Sequence, residues 1–189
     1  MSFFQMSSPA AARRLFLGRS GLTLSGVAVA LLAGNEALAA KAGRTGARDV
    51  QILNTALGAE LEAIAAYQLG AESKLLQGGV LDLAVVFQGH HKEHADVLAK
   101  TVAKLGGQPV QAKARYNFPV DQLKSQADVL KFAASLEQGA ISAYLGAVPL
   151  FGNRDLAKAA ASILGDEAMH WAILRQALGE APVPTAFMS

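Results

Sequence analysis

Residues 60–67 read Glu-Leu-Glu-Ala-Ile-Ala-Ala-Tyr and residues 137–144 read Glu-Gln-Gly-Ala-Ile-Ser-Ala-Tyr. Glu60, Ala63, Ile64, Ala66 and Tyr67 thus return 77 positions later as Glu137, Ala140, Ile141, Ala143 and Tyr144. About one helix length beyond each copy stands a histidine followed by a leucine, His94 with Leu98 and His170 with Leu174, at an offset of 76. Each half therefore offers a carboxylate on one segment and a histidine on the next. Two such halves are what a four-helix bundle needs to hold a metal pair in its core.

The surrounding periodicity is helical. Leu53, Leu57, Glu60, Ile64, Tyr67 and Ala71 step along one face at three- and four-residue intervals, with Asp49 as the expected N-cap. Glu60 points where the leucines point, whereas Glu62 and Glu72 fall off the stripe and are expected in solvent. Gln77-Gly78-Gly79 breaks the chain. Leu83, Phe87, His91, His94, Leu98, Val102 and Leu105 then share a face of a second helix, with Asp82 as its expected cap and Gly106-Gly107 at its end. From Gln108 to Val120 the pattern lapses, a stretch long enough to cross a bundle. Asp121 or Ser125 opens a third helix, on which Leu130, Ala133, Glu137, Ile141, Tyr144 and Val148 repeat the first stripe. Asn153 or Asp155 caps a fourth, with Ile163, Glu167, His170, Ile173 and Leu174 on its inner side. No segment alternates with the period of a strand.

The expected fold is all-α: an antiparallel four-helix bundle over 49–178, built from two repeated helix pairs with a crossover connection. Its helices span about 49–74, 82–105, 121–148 and 155–178, after a flexible lead-in at 40–48 and before a tail at 179–189. A chain of 189 residues supports one domain with a substantial core. The Ala-rich, aromatic-poor composition favours helices. There are no cysteines, which excludes disulfides, thiolate metal sites, iron–sulfur clusters and cysteine nucleophiles.

The first 39 residues read as a leader, either a twin-arginine signal or an ordinary secretory signal in which the arginine pair falls by chance, with a retained membrane anchor as a third option. Arg13-Arg14-Leu15-Phe16-Leu17 precedes an apolar stretch from Gly21 to Gly34, and Ala37-Leu38-Ala39 supplies the small residues a signal peptidase reads. This resembles a twin-arginine export signal, with Ala12 where Ser or Thr is common and Gly18 where Lys is common. The stretch falls short of the roughly 20 residues that span a bilayer, so no stable membrane anchor is expected once it is removed. The expected location is periplasmic or secreted, in a bacterium. Without Arg13, Arg14, Arg19 and Glu36 the remainder is near neutral, and no basic stripe with interleaved aromatics survives to bind nucleic acid.

Glu167-Ala168-Met169-His170 is a Glu-x-x-His, whose spacing stacks both side chains on one helix face. With Glu137 one helix upstream and the earlier half in matching register, the chain resembles the ferritin-like superfamily, which includes bacterioferritin, rubrerythrin and manganese catalase. That resemblance covers most of residues 49–178. It implies a dinuclear iron or manganese centre with a Glu from the first and third helices and a Glu-x-x-His from the second and fourth. On this chain it nominates Glu60, His94, Glu137, Glu167 and His170.

The second-helix Glu slot holds His91, since Gly89-His90-His91-Lys92-Glu93-His94 aligns with Gly165-Asp166-Glu167-Ala168-Met169-His170. Glu93 lies on another face, about 200° around from His91. A bridging carboxylate draws two metals together and offsets their charge, whereas a neutral imidazole adds no negative charge. His91 is thus a ligand in a nitrogen-richer site, or the site holds one metal, or the centre is lost while the fold persists.

Glu60 and Glu137 are costly to bury unpaired, so each demands a cation or a tight hydrogen-bond partner. Tyr67 and Tyr144 lie seven residues after those acids and are expected to pack in the core with their hydroxyls on ligand carboxylates. Asp166 either orients a histidine from behind or is solvated; His90 is expected at the surface or behind the ligands, and Trp171 in the packing. The expected function is metal-dependent redox chemistry toward ferrous iron, oxygen or peroxide. The alternatives are a non-catalytic exported bundle with a partly degenerate site, and iron storage in a homo-oligomeric cage.

Overall fold

The computed structural model describes residues 36–188, and these contain four α-helices and no strand: α1 (Glu36–Glu72), α2 (Gly79–Lys104), α3 (Gln126–Ala147) and α4 (Arg154–Ala177). Short 3₁₀ turns occupy Val120–Gln122 and Val148–Leu150. The chain divides into a unit ending at Gly46, of which the described part is helical, and a unit beginning at Ala47 that carries the bundle. The leader expected over 1–39 lies outside the described residues up to position 35. No helix among the described residues is long and apolar enough to cross a membrane.

Side-chain register fixes the topology. Tyr67 meets Glu137 and Tyr144 meets Glu60, so α1 and α3 are antiparallel. His91 meets Glu60 while Gln88 reaches the Ile64 carbonyl, so α2 also opposes α1. His90 meets His170 and His94 meets Asp166, which sets α4 against α2. Consecutive α2 and α3 must then run parallel, and residues 105–125 make the crossover. Asn54 anchors its start by donating to the Gln108 carbonyl and accepting from the Val110 amide. Tyr116 stacks on Phe118, which meets Phe132 of α3 edge-on.

Helix boundaries follow local chemistry. Gly78 (φ 52°) and Gly106 (φ 80°) adopt left-handed conformations that flank α2. Asp82, expected as its cap, lies in its first turn. Of the two starts expected for α3, Ser125 is the N-cap, its hydroxyl accepting from the Asp128 amide; Asn153 does the same for α4 with the Asp155 amide.

Two expectations fail at the front of α1. The flexible lead-in expected at 40–48 is helical, the alanines and basic residues outweighing Gly43 and Gly46. Asp49, expected as an N-cap, is inside the helix and buried, where its carboxylate accepts from the amides of Gly152 and Asn153. It ties α1 to the α3–α4 connection rather than starting a helix.

The core lies in two apolar clusters. One holds Tyr67, Phe87, Leu130, Ile141, Trp171 and Leu174; the other holds Leu53, Leu57, Leu98, Val102, Tyr144 and Ile163. Between them, at mid-height on all four helices, lies a layer of buried acids and histidines. Asp49→Ala strands two amides, which costs about 2 kcal/mol. Chemical denaturation is expected to show a lowered midpoint with an unchanged slope.

Candidate metal centre

Each helix contributes to the polar layer from its apolar stripe. Glu60 comes from α1, His91 and His94 from α2, Glu137 from α3, and Glu167 and His170 from α4. Glu60, His91, Glu137, Glu167 and His170 are each 2% exposed or less. His94 is nearer the surface, its side chain 15% exposed.

The tyrosines cross between halves. Tyr144 donates to Glu60 Oε1 at 2.6 Å, and Tyr67 donates to Glu137 Oε1. Each hydroxyl fixes one oxygen of the opposite acid and leaves that carboxylate turned inward. His91 lies between the same acids, with Nδ1 2.8 Å from Glu60 Oε2 and Nε2 3.3 Å from Glu137 Oε1. Only the doubly protonated ring can donate in both directions.

Burial alone disfavours a charged His91, but hydrogen bonds to Glu137 and Glu60 outweigh it and push the ring up to about 10. His94 and His170 follow the same logic. Burial lowers them, and Glu167 with Glu60 for the first, and Glu137 with Glu167 for the second, push both up to about 9. Burial would raise Glu137, yet the His170 and His91 hydrogen bonds hold it at about 2. Glu60 is lowered by His91 and His94 against the same burial penalty. Tyr67 and Tyr144 are raised, first by burial and then by the acids they face, so both stay protonated donors. At neutral pH three imidazolium rings thus balance three carboxylates.

Two sets of four donor atoms converge here: Glu60, His91, His94 and Glu167, and His91, Glu137, Glu167 and His170. They share His91 and Glu167. Two buried atoms, His94 Nδ1 and Glu167 Oε1, make no hydrogen bond among the described residues. They lie 3.2 Å apart, as an ion pair. A cation between them would give each a partner, and Glu60 Oε2 is 3.6 Å from the same nitrogen. Imidazole and carboxylate donors of this kind suit iron and manganese, and in this respect the residues fit such an ion.

The fold matches a known family. The chain belongs to the ferritin-like family, whose domain model matches residues 48–180. It is similar to a conserved hypothetical protein of Mycobacterium tuberculosis at 26% identity and TM-score 0.66, over 76% of this chain and 99% of that one. It is also similar to a ferritin-like, diiron-carboxylate protein of Bacillus anthracis at 22% identity and TM-score 0.62, over 71% and 97%. A third similar structure is the bacterioferritin of Desulfovibrio desulfuricans, described with a diiron site, at 20% identity and TM-score 0.66, over 72% and 81%. No curated protein matches the chain.

The structure brings together all six residues nominated from sequence, with both tyrosines behind them. Asp166 is 3.2 Å from His170 Nε2 and 3.4 Å from His94 Nε2. Two features were missed. Phe87 was read only as an inner-face residue, and its ring stacks on His170 at 4.1 Å. Gln88 is buried, donating to the Ile64 carbonyl and to Gln68. His90 touches His170, with Nδ1 2.9 Å from Nε2. The histidine pair His90-His91 is the one sequence signal that bears on His90.

Protonation sets the stability of the protein stripped of metal. The contribution of His91 is fully present below its ordinary value of 6.5 and is lost as pH rises through about 10. Those of His94 and His170 are lost through about 9. That of Glu137 is present above 4.5 and is lost as pH falls through about 2. Chelator-treated protein is therefore expected to be most stable between pH 4.5 and 6.5, with a Tm at pH 10 lower by roughly 5 °C or more in thermal unfolding followed by circular dichroism.

Proposed function

We propose that this chain is an exported ferritin-like protein that binds iron or manganese in the bundle core and serves redox chemistry toward ferrous iron, oxygen or peroxide. The observation that carries this reading is the pair of buried atoms without hydrogen bonds, His94 Nδ1 and Glu167 Oε1, beside Glu60. On this reading Glu60, His94 and Glu167 hold the first ion. Glu137, His170 and Glu167 offer a second position, and His91 joins either through one nitrogen once it has lost a proton. The bound metal would supply a reversible change of oxidation state.

The chain's own residues do the rest. Tyr67 and Tyr144 hold the acids in orientation, Phe87 fixes the plane of the His170 ring, and the two apolar clusters exclude water from the layer. An open groove lined by Glu93, His94, Val97, Asp166 and Met169 gives small reactants a route to the His94 side.

Charge makes the two positions unequal. One divalent ion balances three carboxylates together with a single imidazolium, so loading it releases the protons of His94 and His170 and leaves that of His91. A second divalent ion must displace the His91 proton and still leaves one positive charge in excess, which a small anion has to offset. His91→Glu supplies a fourth carboxylate, so it is expected to bring the second ion to an affinity near that of the first in a calorimetric Fe²⁺ titration. The same variant puts four acids together with only the His94 and His170 rings to offset them, so its chelated form should unfold at a lower temperature than the parent.

The proposal itself is tested by metal content. Protein isolated from its native compartment is expected to carry about one or more equivalents of iron or manganese, and Glu167→Gln to weaken binding about 100-fold or more. Well under one equivalent, with no gain on anaerobic reconstitution, would overturn it. That result would favour a second reading for which one observation speaks: His91, lying between Glu60 and Glu137, neutralises the acids by itself, as a non-catalytic bundle requires.

A further inference from the structure

Outside the layer just described, a second group of donor atoms faces solvent on the seam between α2 and α4. His90 Nδ1 lies 2.9 Å from His170 Nε2 and 3.3 Å from Asp166 Oδ2, and Asp166 Oδ2 lies 3.2 Å from His170 Nε2. The side chains of His90 and Asp166 are 41% and 23% exposed. The groove along the seam reaches Asp166 from outside.

Hydrogen bonds alone cannot satisfy this triangle. A carboxylate oxygen only accepts, so both nitrogens must donate to Asp166. The two rings then point N–H groups at each other across 2.9 Å. If either nitrogen is left unprotonated, its lone pair faces the carboxylate instead. A cation at the centre removes the conflict, because all three atoms then present lone pairs to it. The edges have the right length. Metal–ligand bonds of about 2.0–2.1 Å place ligands about 2.9 Å apart at right angles and about 3.4 Å apart in a tetrahedron. Two imidazoles and one carboxylate on one triangular face, with the outward positions open, form a donor set for a divalent transition ion.

We infer that His90, Asp166 and His170 form a second site for an imidazole-preferring divalent cation, on the solvent side of the buried layer and sharing His170 with it. The two sites share one ring by opposite edges. His170 Nδ1 faces Glu167 Oε2 at 3.2 Å, and Nε2 faces the outer triangle. A neutral imidazole has one lone pair, so metal on Nε2 leaves Nδ1–H donating to Glu167, and metal on Nδ1 leaves Nε2–H donating to Asp166. The outer site therefore competes with the Glu137–His170 half of the layer, and it adjoins the Glu60–His94 half through Asp166 Oδ2, 3.4 Å from His94 Nε2.

The probe is Zn²⁺, titrated calorimetrically into the full chain. In a background with Glu60→Gln and Glu137→Gln, which removes one carboxylate from each half of the buried layer, one Zn²⁺ is expected still to bind, and adding His90→Asn is expected to weaken it at least tenfold. No binding in that background, or binding indifferent to His90→Asn, overturns the inference. Zinc-soaked crystals of the unsubstituted protein give a measurement independent of how the variants fold. Anomalous density within bonding distance of His90 Nδ1 and His170 Nε2 supports the site, and density confined to the buried acids, or none, overturns it. Outer density without inner density would remove the iron or manganese reading and leave this one standing.

Discussion

The bundle is organised around one constraint: three carboxylates share a space from which water is excluded. Glu60, Glu137 and Glu167 occupy helix positions that would otherwise hold leucines, and burial penalises each negative charge. His91 offsets two of them at once by donating one ring nitrogen toward Glu60 and the other toward Glu137. The tyrosine hydroxyls, the His94 and His170 rings and the Phe87 stack are arranged around that line. The apolar clusters above and below keep the local dielectric low, which gives those pairings their strength.

Much of this was legible in the chain. The spacing of Glu60 and Glu137 along leucine stripes located the buried acids, and the Glu-x-x-His at 167–170 placed both α4 donors on one face. Partners that depend on how helices approach one another were not legible. The tyrosines share a face with the acid of their own helix, and only the antiparallel placement of α1 and α3 shows that each serves the other half's acid. Sequence left the role of His91 open because one residue type can be ligand, cation or filler; the two distances to its ring nitrogens show what it pairs with. Asp49 misled because an aspartate ahead of an apolar stripe has the form of an N-cap, while its actual partners lie more than 100 residues away.

His91 in place of a carboxylate changes the electrostatics more than the shape. A four-acid layer cannot persist without cations, whereas this one carries its own and is balanced when protonated. Loading metal therefore becomes an exchange of protons for metal ions, so affinity rises with pH over the range in which the rings titrate. The layer is also graded from inside outward. Glu137 and Glu167 are sealed, His94 is partly open, and His90 and Asp166 meet solvent, so a cation arriving along the α2–α4 seam meets imidazole nitrogens before it meets the buried acids.

Iron or manganese bound in the bundle core beside Glu60, His94 and Glu167 would be visible in anomalous-difference maps at the iron and manganese edges, from crystals loaded anaerobically with Fe²⁺ or Mn²⁺. A peak is expected within bonding distance of His94 Nδ1 and Glu167 Oε1, the two atoms that hydrogen bonds leave out. A core without anomalous density, in which His91 still links Glu60 and Glu137, would contradict it.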